Sequence, residues 1–268
     1  MLIGVEHTTS FTYAARISEA YTELRLRPLS SGGQQCTSFR LVTDPPGIRV
    51  RAYRDRLGND VQHLEVLEDH DRISITALSE VSTAAAFSDS ARDSSPLEVH
   101  DYLAPTEYAP FSEPLVELAA TADGEGTETE RAAEVMHTVR SLLVYERGAT
   151  DVMTRADAAL ALGRGVCQDF AHVMLAACRR AGIPSRYVSG YLYDPLEGAA
   201  DVETHAWVDV LDSQRGWVSL DPTHDREQTE AYVRVAVGRD YADVPPTRGV
   251  FRGTAEETLD VAVRIALL

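Results

Sequence analysis

The chain has 268 residues, of which 44% are hydrophobic and 25% are charged, and its formal net charge is −17. This composition is ordinary for a folded protein and excludes wholesale disorder, and the length allows one large domain or two modest ones. The negative charge makes nucleic acid a poor partner, because binding phosphates needs a basic surface. All 25 Lys and Arg positions are arginine, which excludes lysine-based chemistry such as a Schiff base.

The N-terminal residues MLIGVEHTTSFTY read as a strand, and they lack the basic and apolar regions of a signal peptide. No apolar run in the sequence reaches the length of a membrane span. The three cysteines, Cys36, Cys167 and Cys178, are too widely spaced to suggest a disulfide framework, which fits a reducing compartment. We therefore expect a cytoplasmic protein with no membrane partner. The sequence leaves its oligomeric state open.

Residues 1–105 have the pattern of a β-rich domain. The segments VEHTTSFTY, HLEVLE and RISITALSEVST alternate between apolar and polar residues, and turn signals such as DPPG separate them. Several short strands at this spacing predict a sandwich-like arrangement. His7, His63 and His70 are scattered through this region, and we expect structural or surface roles for them.

Residues 106–268 are predicted to form a second domain of helices followed by strands. Thr127 and Glu130 have the spacing of a capping box, which predicts a helix from there to about Leu143. Another helix is expected from about Val166 to Ala181, ahead of a glycine and a proline. Strands are predicted in SRYVSGYLY, THAWVDVL, GWVSLDP and the C-terminal TLDVAVRIALL.

The stretch GRGVCQDFAH places Cys167 in the first turn of that second helix. The unpaired amides and the dipole at a helix start favour a thiolate over a thiol. The same amides would stabilise an oxyanion next to the attacked carbon, and two nearby glycines leave room for a substrate. A small buried cysteine is the alternative, and Cys178 in the apolar part of the helix is expected to be one.

The segment THAWVDVLDSQRGWVSLDPT has the pattern of a β-hairpin. If the hairpin is centred on Ser213, His205 lies directly opposite Asp221, with the two side chains on one face. The alternate residues are apolar and are expected to face the core. Cys167, His205 and Asp221 would then form the nucleophile, base and orienting group of a thiol-protease constellation. The alternatives are an ordinary polar hairpin face and a metal site built from the same three residues.

These segments resemble the transglutaminase-like superfamily of papain-type thiol enzymes. The matching blocks are GVCQDFAH (165–172), GIPSRYVSGYL (182–192), HAWVDV (205–210) and GWVSLDPT (216–223). Two further blocks look like the N-terminal β region of bacterial members, VEHTTSFTYAARISEAYTELRLRP (5–28) and DRLGND (55–60), and VAVGRDYADVPPTRGVFRG (235–253) looks like their C-terminal segment. The resemblance implies an α+β fold in which the cysteine helix packs on an antiparallel sheet, preceded by the β-rich domain.

The resemblance also implies a reaction, in which a thiolate attacks a peptide, isopeptide or glutaminyl-type amide and forms a thioester. Hydrolysis is favoured over cross-linking, and a catalytically silent binding scaffold is the alternative. The backbone amide of Cys167 is the first candidate for the oxyanion site, with the side chains of Gln168 or Tyr145 as further candidates. Trp207 and Asp169 are candidate cleft residues, with core packing and helix capping as their alternative roles. No metal or cofactor is expected; animal members need calcium, but this sequence has no EF-hand loop.

Overall fold

A computed structural model describes residues 1–84, 95–194 and 204–268 of the chain. The β-strands are β1 (Leu2–Ile17), β2 (Glu19–Leu24), β3 (Gln35–Asp44), β4 (Arg49–Arg54), β5 (Asp60–Val66), β6 (His70–Ser82), β7 (Val144–Tyr145), β8 (Arg164–Gly165), β9 (Ser185–Leu192), β10 (His205–Asp212), β11 (Gly216–Asp221), β12 (Arg226–Glu227), β13 (Tyr232–Gly238), β14 (Thr247–Arg252) and β15 (Glu257–Leu267). The α-helices are α1 (Pro96–Asp101), α2 (Glu113–Ala119), α3 (Glu128–Leu142), α4 (Ala156–Leu162) and α5 (Cys167–Arg180).

Capping residues define the start of helix α3 and the end of helix α5. The hydroxyl of Thr127 accepts from the backbone N–H of Glu130 at 3.2 Å, and the Glu130 carboxylate accepts from the N–H of Thr127 at 2.9 Å. This is the predicted capping box at the start of α3, and it is confirmed. After α5, Gly182 adopts a left-handed conformation with φ +79°, which only glycine accepts readily. Both predicted helices therefore stop within a residue of their expected ends.

Two four-stranded antiparallel sheets form the N-terminal β region, in the orders β15-β1-β6-β3 and β14-β2-β5-β4. Alternate side chains of each strand point to the same side, so one face of each sheet is apolar. The two apolar faces share a core of buried residues: Phe11, Tyr13, Ile17, Ala20, Leu24, Leu26, Leu64, Val66, Ile73, Ile75 and Ala77. The predicted sandwich-like arrangement is present.

Strands from the C-terminal end of the chain complete both N-terminal sheets. β15 pairs antiparallel with β1, and β14 pairs antiparallel with β2. The sequence predicts the C-terminal strand as part of the second domain (106–268), whereas its backbone pairing places it in the sheet of β1. The reason is physical: alternation shows that a segment is a strand, but it does not identify the strand with which it pairs.

The second part of the chain is built around helix α5 and a five-stranded antiparallel sheet of order β12-β11-β10-β9-β13. Every residue of α5 from Gln168 to Arg179 is buried, because the sheet and helices α2, α3 and α4 surround it. The apolar face of the β10–β11 hairpin packs against the helix, as predicted, through Ala206, Val208, Val210, Val218 and Leu220. The predicted α+β fold with a cysteine helix on an antiparallel sheet is confirmed.

The register of the β10–β11 hairpin differs from the prediction. Asp209 pairs with Ser219 rather than with Trp217, so the hairpin is centred on residue 214. Gly216 supplies the left-handed position that ends the three-residue loop, with φ +79°. Asp212 holds the loop through its Oδ1, which accepts from the backbone N–H groups of two loop residues at 2.8 and 2.9 Å. The pairing therefore differs from the predicted one by two residues, an even number, so the faces on which the side chains lie do not change.

Within the described ranges, no helix is both long enough and apolar enough to cross a membrane. The cytoplasmic location stays a prediction.

Candidate active site

Cys167 is the first residue of helix α5, as the sequence predicts, and it is partly exposed. The short strand β8 ends two residues before Cys167. It pairs in parallel with β7, so that Tyr145 lies beside Gly165. Among the described residues, the backbone N–H groups of Cys167 and Gln168 have no hydrogen-bond acceptor. A helix start leaves such amides free for an anion, and here they lie beside a thiol. Cys178 lies fully buried in the same helix, which confirms its predicted core role.

Asp169 holds the start of α5 in place. Its Oδ2 accepts from the N–H of Val166 at 2.7 Å and from the hydroxyl of Thr150 at 2.6 Å. Burial raises the pKa of Asp169, and these two hydrogen bonds oppose that rise. A Cβ atom on Gly165 would lie 2.5 Å from the same oxygen, so the glycine makes this close approach possible. Asp169 therefore serves as a capping residue, the alternative role considered for it, and it does not line the cleft.

His205 and Asp221 meet on one face of the β10–β11 hairpin. Nε2 of His205 lies 2.7 Å from Oδ2 of Asp221. His205 and Cys167 line the same two clefts, described below, and the thiol lies close enough to raise the pKa of His205. The thiol sulphur itself lies 3.9 Å from the carbonyl oxygen of Thr204. The structure thus brings together the three residues predicted from the sequence.

Charge couples His205 and Asp221 strongly. Burial by itself would lower the pKa of His205, but the charge of Asp221 and the hydrogen bonds to Asp221 and Cys167 raise that pKa to about 10. Burial would raise the pKa of Asp221, but the neighbouring histidine lowers it well below the usual range of a carboxyl group. The imidazolium and the carboxylate therefore stabilise each other across the neutral pH range.

Asp221 has two side-chain partners that the sequence reasoning missed. The phenol of Tyr232 donates to Oδ2 at 2.6 Å, and Nδ1 of His224 lies 2.8 Å from the same oxygen. The backbone N–H of Thr223 donates to Oδ1 at 2.9 Å. His224 follows Asp221 by three residues in the turn DPTH, so its proximity to Asp221 could have been predicted from the sequence. Tyr232 comes from β13, and only the packing of the sheet brings it here.

Trp207 is fully buried behind His205. Its ring stacks on the imidazole, with 5.9 Å between ring centroids, and lies edge-on to Tyr232 at 5.2 Å. Trp207 lines neither cleft described below. It supports the orientation of His205 from behind, and of the two roles considered for it the structure shows core packing.

Two clefts meet at Cys167 and His205. The larger has a volume of about 410 Å³ and is lined by His7, Val152, Val166, Cys167, Gln168, Tyr187, Ser189, Thr204, His205, Ala206, Tyr241, Pro246, Thr247, Leu259 and Val261. The smaller has a volume of about 290 Å³ and is lined by Arg140, Tyr145, Arg147, Cys167, Leu192, Asp194, Thr204, His205, Thr223 and His224. A bound substrate can therefore extend to both sides of the thiol.

The two side-chain candidates for the oxyanion site line different clefts. Gln168 lines the larger cleft, where its Nε2 donates to the carbonyl oxygen of Val152 at 3.2 Å. Tyr145 is partly exposed and lines the smaller cleft. The free backbone amides at the helix start stay the first candidate for the oxyanion site.

Within residues 1–84, 95–194 and 204–268, one group of side chains could hold a metal ion. The ligand atoms of His205, Asp221 and His224 all lie within 4.8 Å of one another. This set differs from the alternative considered from the sequence, because His224 stands where Cys167 was expected. A cation here would have to displace the protons that now join both histidines to the carboxylate.

An α+β core with a cysteine at a helix start beside a histidine–aspartate pair defines the papain-type class of proteins. Residues 117–222 match the family described as "Transglutaminase-like superfamily", and residues 3–82 match "Bacterial transglutaminase-like N-terminal region". The chain is 34% identical over 276 residues to the uncharacterized protein ML0607 of Mycobacterium leprae, covering 98% of both chains. The chain therefore belongs to the transglutaminase-like superfamily and has the N-terminal region of its bacterial members.

Two further proteins resemble the chain, one over nearly its whole length and one over a third of it. A solved structure of a candidate cysteine protease from Cytophaga hutchinsonii superposes with a TM-score of 0.78 at 22% identity, covering 99% of this chain and 91% of that one. At this identity the likeness concerns the fold. A protein-glutamine gamma-glutamyltransferase of Pseudomonas aeruginosa is 34% identical over 100 residues, which is 33% of this chain and 15% of that protein.

Proposed function

We propose that the protein is a thiol enzyme that cleaves peptide, isopeptide or glutaminyl-type amide bonds through a thioester on Cys167. The observation that carries this proposal is that Cys167, at the free amides of a helix start, lines the same two clefts as His205, which Asp221 keeps protonated. A thiolate beside an imidazolium is both a ready nucleophile and a proton donor for the leaving amine.

In the first half of the reaction, the Cys167 thiolate attacks the amide carbonyl carbon and a C–S bond forms. The negative charge moves to the carbonyl oxygen, where the backbone N–H groups at the start of α5 stabilise it. His205 then gives its proton to the amide nitrogen, the C–N bond breaks and the amine leaves. Asp221 holds His205 in the orientation that this transfer needs.

In the second half, neutral His205 takes a proton from water, and the hydroxide attacks the thioester carbonyl. The C–S bond breaks, the carboxylic acid leaves and the thiolate–imidazolium pair returns. An amine in place of water would transfer the acyl group. We favour water, because no feature of the residues that the structure describes marks a site for an acceptor amine, and the polar smaller cleft gives water a route to the thioester.

Alkylation of Cys167 by iodoacetamide at pH 6 tests the proposal, with the modified peptide quantified by mass spectrometry. We expect the wild-type rate to exceed that of His205→Ala by more than about tenfold, because the variant lacks the imidazolium beside the sulphur. Two other thiols serve as internal controls: burial raises the pKa of Cys178 to about 12 and also raises the pKa of Cys36. Equal slow rates in both proteins would favour the silent scaffold instead.

Product analysis separates hydrolysis from transfer. Dimethylcasein with dansylcadaverine supplies a protein amide and a fluorescent amine, and both released ammonia and incorporated dansyl groups are measured. We expect ammonia release from the wild type to exceed dansyl incorporation, and Cys167→Ser to abolish both. Dansyl incorporation equal to ammonia release would identify an acyltransferase.

A further inference from the structure

The larger cleft differs from the smaller one in charge. Among the residues that the structure describes, its lining includes no Asp, Glu or Arg, whereas the smaller cleft has two arginines and an aspartate. His205 lines both clefts, but its charge is already paired with Asp221. A charged substrate group would therefore lose its hydration in the larger cleft without gaining a partner of its own. The larger cleft favours an uncharged group.

Strand β15 supplies an apolar wall of this larger cleft. Alternate residues of a strand face the same side, and one face of β15 carries Leu259, Val261, Val263 and Ile265. Val263 and Ile265 are buried in an apolar cluster with Tyr191 of the five-stranded sheet. Leu259 and Val261 extend beyond this cluster and line the cleft. One apolar face thus packs on the sheet at one end and borders Cys167 and His205 at the other.

The apolar side chains of the wall are accessible to a ligand. Leu259 is 49% exposed and Val261 is 52% exposed. Val152, in the turn before helix α4, is 51% exposed and lines the same cleft. Half-exposed apolar side chains gathered in one cavity are typical of a binding site, whereas single ones scattered over a surface are not. A ligand that covers these three side chains removes apolar surface from water, which favours an apolar group.

The order of bond breaking assigns a substrate part to each cleft. The acyl group stays on the sulphur after the amine has left, and water then attacks the same carbonyl carbon. Water enters the space that the amine has left, so the two share a side of the thiol. The smaller cleft, lined by polar groups such as Thr223 and His224, suits both of them. The acyl part is left with the larger cleft, whose volume of about 410 Å³ is within the range of small-molecule sites.

We propose that Leu259, Val261 and Val152 form a subsite for an uncharged, apolar side chain in the acyl part of the substrate, next to the scissile amide. The proposal rests on the proposed thiol chemistry of Cys167. The three residues select the substrate and take no part in bond breaking. Two of them lie on a strand that pairs with β1, so the N-terminal β region contributes to the choice of substrate.

Three chloromethyl ketones test this assignment: N-acetyl-leucyl, N-acetyl-alanyl and N-acetyl-aspartyl chloromethyl ketone. In each, the Cys167 sulphur attacks the CH₂Cl carbon, a C–S bond forms and chloride leaves. The ketone stands for the acyl carbonyl, so the amino-acid side chain lies on the acyl side. The aspartyl side chain is close in shape to the leucyl one but carries a charge. The saturation constant KI and the maximal rate of Cys167 labelling are measured for each probe.

We expect the leucyl probe to have the lowest KI in the wild type, about three- to tenfold below that of the alanyl probe. Val261→Arg replaces part of the apolar wall with a cation. It should raise the KI of the leucyl probe and lower that of the aspartyl probe, each at least about threefold. Val250→Arg is the matched control and should leave all three KI values as in the wild type. Val250 is 69% exposed on β14 and lines neither cleft.

Equal KI values in Val261→Arg and Val250→Arg would overturn the proposal, as would tightest binding of the aspartyl probe by the wild type. Should Val261→Arg fail to fold, Val261→Thr keeps the shape and the strand propensity of valine. It should raise the KI of the leucyl probe, and an unchanged KI would equally count against the subsite.

Two iodoacetamides complete the test. N-isobutyliodoacetamide carries its apolar group on the amine side, and plain iodoacetamide carries none. A gain for the isobutyl compound that depends on Val261, with no gain for the leucyl probe, would overturn the assignment to the acyl part. The rate with plain iodoacetamide, compared with His205→Ala, measures the thiol alone. A thiol that reacts fast but shows no preference among the ketones would refute the subsite and leave the proposed function standing.

Discussion

The phenol of Tyr232 donates a 2.6 Å hydrogen bond to Oδ2 of Asp221, inside the core of the protein. A hydrogen bond to a buried charge contributes about 1.5–3 kcal/mol. We expect Tyr232→Phe to lower the free energy of unfolding by about 1–3 kcal/mol and to slow iodoacetamide labelling of Cys167, since Asp221 would orient His205 less firmly.

Urea unfolding and the labelling rate measure the two effects of Tyr232→Phe. Tyr21→Phe is the control, because the Tyr21 hydroxyl has no hydrogen-bond partner among the described residues. If both variants unfolded and reacted like the wild type, Tyr232 would have no positioning role.

Because His205 is charged in the folded protein, the free energy of unfolding should fall as the pH becomes alkaline. The folded-state pKa of His205 is raised to about 10, above an unfolded value of about 6.5. Its contribution is therefore fully present below pH 6.5 and is lost as the pH rises towards 10. We therefore compare the free energy of unfolding of the wild type with that of His205→Gln. The difference in favour of the wild type should shrink by more than about 1 kcal/mol between pH 6.5 and 9.5. Urea titrations of both proteins measure this, and a pH-independent difference would contradict it.

The positions of Cys167, His205 and Asp221 can be predicted from the sequence because each depends on a local pattern of residues. A glycine-flanked helix start places Cys167, and strand alternation places His205 and Asp221 on one face. The predicted register was wrong by two residues, and an even shift preserves the alternation. The hydrogen bond therefore forms between residues that are not directly opposite each other.

What the sequence did not predict comes from contacts between distant segments. β15 pairs with β1, and this pairing brings His7, Leu259 and the thiol to one cavity. Tyr232 reaches Asp221 although its strand, β13, lies at the opposite edge of the same sheet from β11 and β12. Alternation identifies such strands, but their neighbours are decided by the packing of the whole chain.

A buried ion cluster behind the site predicts a large cost for one substitution. Asp209 is fully buried and accepts from Arg186 Nε at 2.8 Å and from Arg234 Nη1 at 2.8 Å. Asp209→Ala would leave two guanidinium groups without this carboxylate, at a cost of roughly 3–5 kcal/mol. Glu227→Ala breaks the exposed pair with Arg215 and should cost less than about 1 kcal/mol. Thermal unfolding compares the two variants, and similar losses would show that the cluster contributes no more than a surface pair.

At Gly190 the backbone lies very close to the neighbouring strand and to the ring of Trp207. A larger residue at this position should therefore destabilise the fold. A Cβ atom there would lie 2.1 Å from the carbonyl oxygen of Val233 and 2.6 Å from the ring of Trp207. Because the carbonyl belongs to the neighbouring strand, neither group can move without opening the β9–β13 pairing or displacing the ring behind His205. We expect Gly190→Ala to cost more than about 3 kcal/mol or to prevent soluble expression. Gly124→Ala is the control, since a Cβ at that position meets no atom within 4 Å. Far-UV circular dichroism and urea unfolding of both variants test this, and a Gly190→Ala protein as stable as Gly124→Ala would show that the sheet adjusts at little cost.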